Sequence, residues 1–129
     1  MPTSVLVALV LLLQPTQQFD LVCAGEISSG ADGLPYNKRP FEIRLRIDLD
    51  RMVWCENTCG TTPIKEANEA ELVLAEVATA GGVRRRTAIN RSSGAYLSSL
   101  NDPSMRNAFV HMTGQCTRAE FTPIPAAQF

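Results

Sequence analysis

Residues 41–50, FEIRLRIDLD, alternate apolar and charged side chains without a break, and few conformations accommodate that pattern. In an extended strand Phe41, Ile43, Leu45, Ile47 and Leu49 fall on one side, and Glu42, Arg44, Arg46, Asp48 and Asp50 on the other. Burying the apolar set contributes roughly 7–15 kcal/mol before chain entropy is subtracted, whereas a slip of one residue would bury the charges instead. A half-buried β-strand of fixed register is the expected foundation of the fold.

The remaining chain reads as short strands between turn signals. Residues 19–27 form a first strand, and residues 28–40 (SSGADGLPYNKRP) read as a loop rich in Gly, Pro and Ser. After Asp50-Arg51, Met52, Val53 and Trp54 lead to Cys55 as a short return strand, with Trp54 as a core plug beside a disulfide. Ala80-Gly81-Gly82, residues 90–94 (NRSSG) and Asn101-Asp102-Pro103-Ser104 punctuate strands at 83–90, 95–100 and 108–116. On the last of these, Val110, Met112, Gly114 and Cys116 share a face. Residues 64–78 (IKEANEAELVLAEVA) admit two readings. Their composition favours a helix, but its stripe would include Glu71; extended, they give strands at 64–66 and 71–77 about a turn at Asn68-Glu69. The strands are preferred because every neighbouring segment is β. The tail at 121–125 is expected to lie extended over the surface. The sum is an all-β fold, a small antiparallel meander of seven or eight short strands closed into a barrel or sandwich and stabilised by disulfides.

Residues 5–13 (VLVALVLLL) are purely aliphatic, but a membrane helix needs about 20 such residues, so the run reads as the core of a secretory signal peptide over residues 1–18. Residues 19–129 then make one domain, too short for two. No stable membrane span remains after cleavage. Lys and Arg number 12 against 13 Asp and Glu, a balance that gives no reason to expect nucleic acid as a partner. Four cysteines on an exported chain favour two disulfides. Of the three pairings, Cys23 with Cys116 and Cys55 with Cys59 are preferred, the first tying the first strand to the last. A metal site is disfavoured, because three residues separate Cys55 from Cys59 and His111 is the lone histidine.

Candidate chemistry is sparse. Arg84-Arg85-Arg86 is the densest charge run; in a strand only Arg84 and Arg86 point the same way, and a solvated edge that discourages strand addition is preferred over an anion clamp. Arg44 and Arg46 share a mixed-charge face with Glu42, Asp48 and Asp50, where cross-strand ion pairs are the default reading and a ligand groove the alternative. Arg44, Arg46, Arg84 and Arg86 are therefore the candidate binding residues. His111 is the one side chain whose ordinary pKa lies near neutrality, and any acid–base mechanism would lean on it with a carboxylate. Asn90-Arg91-Ser92 fits a glycosylation sequon and equally a turn. No nucleophile elbow, phosphate loop, dinucleotide fingerprint or metal cluster is present, and no cofactor is implied.

The segments FDLVCAG, RLRIDLDRMVWCENTC, INRSSGAY and GQCTRAEFTPIPAAQF together resemble a group of small exported proteins of alphaproteobacteria. The resemblance rests on Trp54-Cys55, Cys59, Asn90-Arg91 with Gly94, Cys116 and the 121–129 tail, and implies a periplasmic or secreted address without a substrate. At fold level the chain is also similar to small periplasmic β-barrels that inhibit lysozyme, although their serine-containing loop is not found here. The leading expectation is a non-catalytic exported protein that binds a protein or small ligand through one open face or the mouth of its barrel. The alternatives are a small periplasmic hydrolase or isomerase using His111, and a purely structural envelope component.

Overall fold

The computed structural model describes residues 17–122, apart from the side chains of Thr58 and Cys59. The strands are β1 (Gln18–Ala31), β2 (Leu34–Asp48), β3 (Val53–Glu56), β4 (Thr58–Pro63), β5 (Glu66–Ala67), β6 (Glu71–Ala78), β7 (Arg84–Asn90), β8 (Ala95–Asp102) and β9 (Ala108–Ala119). Their order across one antiparallel sheet is β4-β3-β2-β1-β9-β8-β7-β6-β5. Each strand pairs with its neighbour in the chain except at one place, between β4 and β5, and the first strand pairs with the last. Only Ile64 and Lys65 separate the two edge strands, so those edges lie within roughly 10 Å of each other. The Ile64 N–H donates to the Met52 carbonyl (2.9 Å) and the Lys65 N–H to the Val73 carbonyl (3.0 Å), one bond toward each side of the seam. The sheet therefore curls into a half-closed barrel. The all-β expectation holds, with nine strands among the described residues in place of seven or eight.

The region expected to be a loop, 28–40, belongs to the sheet. β1 and β2 stay paired to Ala31 opposite Leu34, and Asp32-Gly33 alone reverses the chain, with φ of 54° and 77°. Two consecutive left-handed residues make the hairpin turn whose twist matches the flanking strands, and Asp-Gly is a favoured dipeptide for it. At the other end β2 stops at Asp48, two residues before the alternation does. The Asp48 carboxylate accepts the Arg51 N–H (3.1 Å) and so stabilises the turn. Leu49 still packs against the core.

Residues 64–78 are extended, as preferred. Asn68 Oδ1 accepts the N–H groups of Ala70 (2.8 Å) and Glu71 (2.9 Å), which makes the turn between β5 and β6. A register shift between Val73 and Ala75 then lets Leu72, Val73 and Leu74 all be buried.

The core fills one end of the curled sheet: Phe19, Leu21, Ile43, Leu45, Ile47, Trp54, Leu72, Leu74 and Ile89, with Cys23 and Cys116. It ends in a row that runs Phe41, Gly25, Gly114, Tyr96 across β2, β1, β9 and β8. A Cβ on Gly25 would overlap the Thr113 carbonyl, so glycine is required there. Over that notch the Phe41 and Tyr96 rings meet, centroids 5.7 Å apart. Beyond the row the hairpins splay, leaving Leu34, Tyr36, Val77, Leu97 and Leu100 exposed.

Cys23 and Cys116 face each other across β1 and β9 and are bonded, as expected. Closing a loop with a sequence separation of 93 contributes about 4–5 kcal/mol on the chain-entropy model. Cys55 is disulfide-bonded as well; the side chain of Cys59, its expected partner, lies outside the described residues. Such bonds mark an oxidising compartment, outside the cytosol. The aliphatic run at 5–13 and residues 123–125 of the tail also lie outside the described residues. Gln17 and Gln18 join the sheet: the Gln17 carbonyl accepts the Leu49 N–H (2.9 Å), and Gln18 Nε2 donates to Asp48 (3.1 Å).

Candidate ligand-binding site

The four arginines singled out by the sequence do not converge. Arg44 and Arg46 lie on β2, Arg84 and Arg86 on β7, and three strands intervene, a separation of about 19 Å across the sheet. Arg44 Nε donates to Asp20 (2.6 Å) and its Nη2 to the Glu120 carbonyl (3.3 Å). Asp20 is fully buried and also accepts the hydroxyl (2.7 Å) and N–H (3.1 Å) of Thr122. Burial alone would push the Asp20 carboxyl up, but the hydrogen bonds from Thr122 and Arg44, with the Arg44 charge, outweigh it and hold the group below its ordinary value. Arg44 thus ties Glu120, just past β9, to Asp20 on β1. Arg46 lies opposite Cys55 in the β2/β3 pair, partly buried.

Asp48 repeats the pattern of Asp20. It is fully buried, which would raise its pKa, and bonds from Arg51 (2.8 Å from Nε) and Gln18 lower it below the ordinary value. On β7, Arg86 reaches Glu71 (2.7 Å) and Glu76 (3.2 Å), and the bond to Glu71 is the main reason its pKa is raised. β7 is flanked by β6 and β8, so residues 84–86 do not run along an edge. Cross-strand pairing on β6, not protection of a bare edge, accounts for Arg86. Arg84 stands exposed, opposite Asn101 and Ala78.

His111 stands exposed on β9, opposite Ser28 and Ser99. Its ring packs on Phe109 (centroids 5.0 Å) and its Nε2 lies 3.3 Å from Asn101 Oδ1. No carboxylate hydrogen-bonds it among the described residues. Trp54 is buried in the core as expected, with its indole N–H lacking an acceptor among the described residues.

A different set of residues does converge. Where β1 and β6 begin and β7 and β9 end, the mouth of the half-barrel holds a cavity of about 350 Å³. Its floor is Phe19, Leu21, Leu72, Ile89 and Cys116, all buried. Its rim is the turn from Asn90 to Gly94, together with Arg118. The sequence dictates that turn: Asn90 Oδ1 accepts the N–H groups of Ser92 (2.9 Å) and Ser93 (3.0 Å), and Gly94 takes φ of 77°. The Gly94 N–H then returns to the Asn90 carbonyl (2.8 Å), and the Cys116 N–H is bound to the Gly94 carbonyl (2.8 Å), which fixes the turn on β9.

Two guanidinium groups are held at this rim. Arg91 Nη1 donates to the Asn68 carbonyl (2.8 Å), and the Arg118 guanidinium lies 4.6 Å over the Phe19 ring. Neither makes an ion pair among the described residues, unlike Arg44, Arg51, Arg86 and Arg106. Arg39, Arg84 and Arg85 are likewise without ion pairs there, but they do not border the cavity. The sequence carried a signal for Arg118, since period-two alternation from Cys116 places it on the inward face. Arg91 was visible only as part of a turn and a sequon. The chain matches no family model, no curated protein and no solved structure. The site is therefore read from its own geometry.

Proposed function

We propose that this is a non-catalytic, exported binding protein, periplasmic or secreted, that takes a small ligand into the mouth of its half-barrel. The observation that carries the reading is the cavity of about 350 Å³ with a wholly apolar floor and polar groups confined to the rim. Small-molecule sites commonly have this size and this division between an apolar lining and a few orienting polar groups. Disulfide bonding and the aliphatic run at 5–13 support work outside the cytosol. The cavity wall is built of β1, β6, β7 and β9, strands of the packed end, so the site is preformed and little ordering opposes binding.

Calorimetric titration of the full chain with three eight-carbon probes, octanoate, 1-octanol and octylammonium, tests this reading. At least one is expected to bind at one site per chain, and Leu72→Phe, which extends a ring into the cavity, is expected to weaken it roughly tenfold or more. Ile89→Phe, at the paired position on β7, is expected to do the same. Failure of all three probes, or binding that neither variant disturbs, would contradict the proposal.

A further inference from the structure

Resting on that reading, we infer that the ligand is a small anionic amphiphile, an oxyanion headgroup on an apolar body, with its acidic end held at the rim by Arg91 and Arg118. The inner end of any occupant meets Phe19, Leu21, Leu72 and Ile89, which offer no hydrogen-bonding group, so a polar inner end would be left unsatisfied. The outer end meets a rim on which several acceptors are already engaged. Asn90 Oδ1 is taken by two backbone N–H groups, and the carbonyls of Asn90 and Gly94 by one each. The Ser93 carbonyl accepts Gln115 Nε2, and Ser93 Oγ accepts the Ala95 N–H (3.2 Å).

The charged groups at the rim are both donors. Arg91 gives one N–H to the Asn68 carbonyl and keeps its other guanidinium N–H groups, while Arg118 is steadied by the Phe19 ring beneath it. A guanidinium presents its N–H groups in a plane that matches carboxylate and phosphate oxygens, and both are anchored before a ligand arrives. Neither forms an ion pair among the described residues, as Arg44, Arg51, Arg86 and Arg106 do, and unlike the similarly unpaired Arg39, Arg84 and Arg85 both border the cavity. A donor-rich, cationic rim over an apolar floor selects an acid with an apolar tail. It selects against the corresponding alcohol or amine.

The three probes separate this inference from the broader reading. Octanoate is expected to bind roughly tenfold tighter than 1-octanol at low ionic strength, with octylammonium weakest. The double variant Arg91→Gln, Arg118→Gln is expected to bring octanoate and 1-octanol to comparable affinity, and Arg91→Lys with Arg118→Lys is expected to retain part of the advantage. If 1-octanol binds as tightly as octanoate, or if the advantage survives in the glutamine double variant, the anionic ligand is overturned and the binding site stands. Absence of binding by every probe overturns both.

Discussion

The two ends of this sheet are made of the same strands yet obey different rules. Below the row of Phe41, Gly25, Gly114 and Tyr96, the inward side chains of β1, β2, β6, β7 and β9 close on one another, and Leu45 and Ile47 are almost without exposure. Above it the same strands continue as hairpins with both faces wet: Tyr36 is 66% exposed and Leu100 38%. Backbone pairing continues through both halves, with a register shift between Ser29 and Gly30 in the splayed one. Hydrogen-bonded strands therefore do not by themselves make a core; inward side chains large enough to meet across the curl do. The difference also separates two kinds of arginine. Arg44, Arg51 and Arg86 are spent on carboxylates, and Arg91 and Arg118 at the packed mouth stand over an apolar cavity.

The largest expected effect breaks the comparison at its strongest point. Replacing both Cys23 and Cys116 by Ser removes the link between the first and last strands, and is expected to cost about 4–5 kcal/mol in urea unfolding at fixed pH. A loss within about 1 kcal/mol would mean that strand pairing alone holds the closed end. Truncations sharpen the contrast. Leu45→Ala is expected to cost about 2–5 kcal/mol, whereas Leu100→Ala, on the same face as Tyr96 but in the splayed half, should cost under about 1 kcal/mol. Equal losses at the two sites would erase the distinction between the ends.

A smaller effect follows from the two buried carboxylates. Asp20 and Asp48 titrate below their ordinary value of 3.8 in the folded protein, so the stability they contribute is present above that pH. It is lost as the pH falls through their folded values. Urea midpoints should therefore hold steady near neutrality and decline once the pH drops below about 4. Asp20→Asn is expected to cost roughly 2–3 kcal/mol at neutral pH, by weakening the bonds from Arg44 and Thr122, and to flatten the acid decline. A midpoint that rises on acidification would contradict the assignment.

Much of this fold was legible in the sequence because its signals are local. The alternation at 41–50 set the face and register of β2, NRSSG set a turn, and the even cysteine count pointed to disulfides, with Cys23 and Cys116 a preferred pair. The same density of Gly, Pro and Ser that marks loops concealed the hairpin at 28–40, although Asp32-Gly33 was its signature. The candidate site was less legible because it is assembled from residues distant in the chain. Arg118 gains meaning only when β9 lies beside β1 and its guanidinium stacks on Phe19, and Arg91 only when its turn closes over Leu72 and Ile89. Arg44 and Arg86 misled for the complementary reason: a charged strand face shows its cations in the sequence but not the carboxylates that neutralise them, here Asp20, Glu71 and Glu76.

The most direct test is an amide NMR titration of the full chain with octanoate, which reads both ends of the sheet at once. Shifts are expected at residues 90–94, at Leu21 and Leu72, and at Cys116 and Arg118, with residues 34–40 and 97–105 unmoved. Shifts concentrated in the splayed hairpins, or none anywhere at saturating octanoate, would contradict a ligand site at the packed mouth of the barrel.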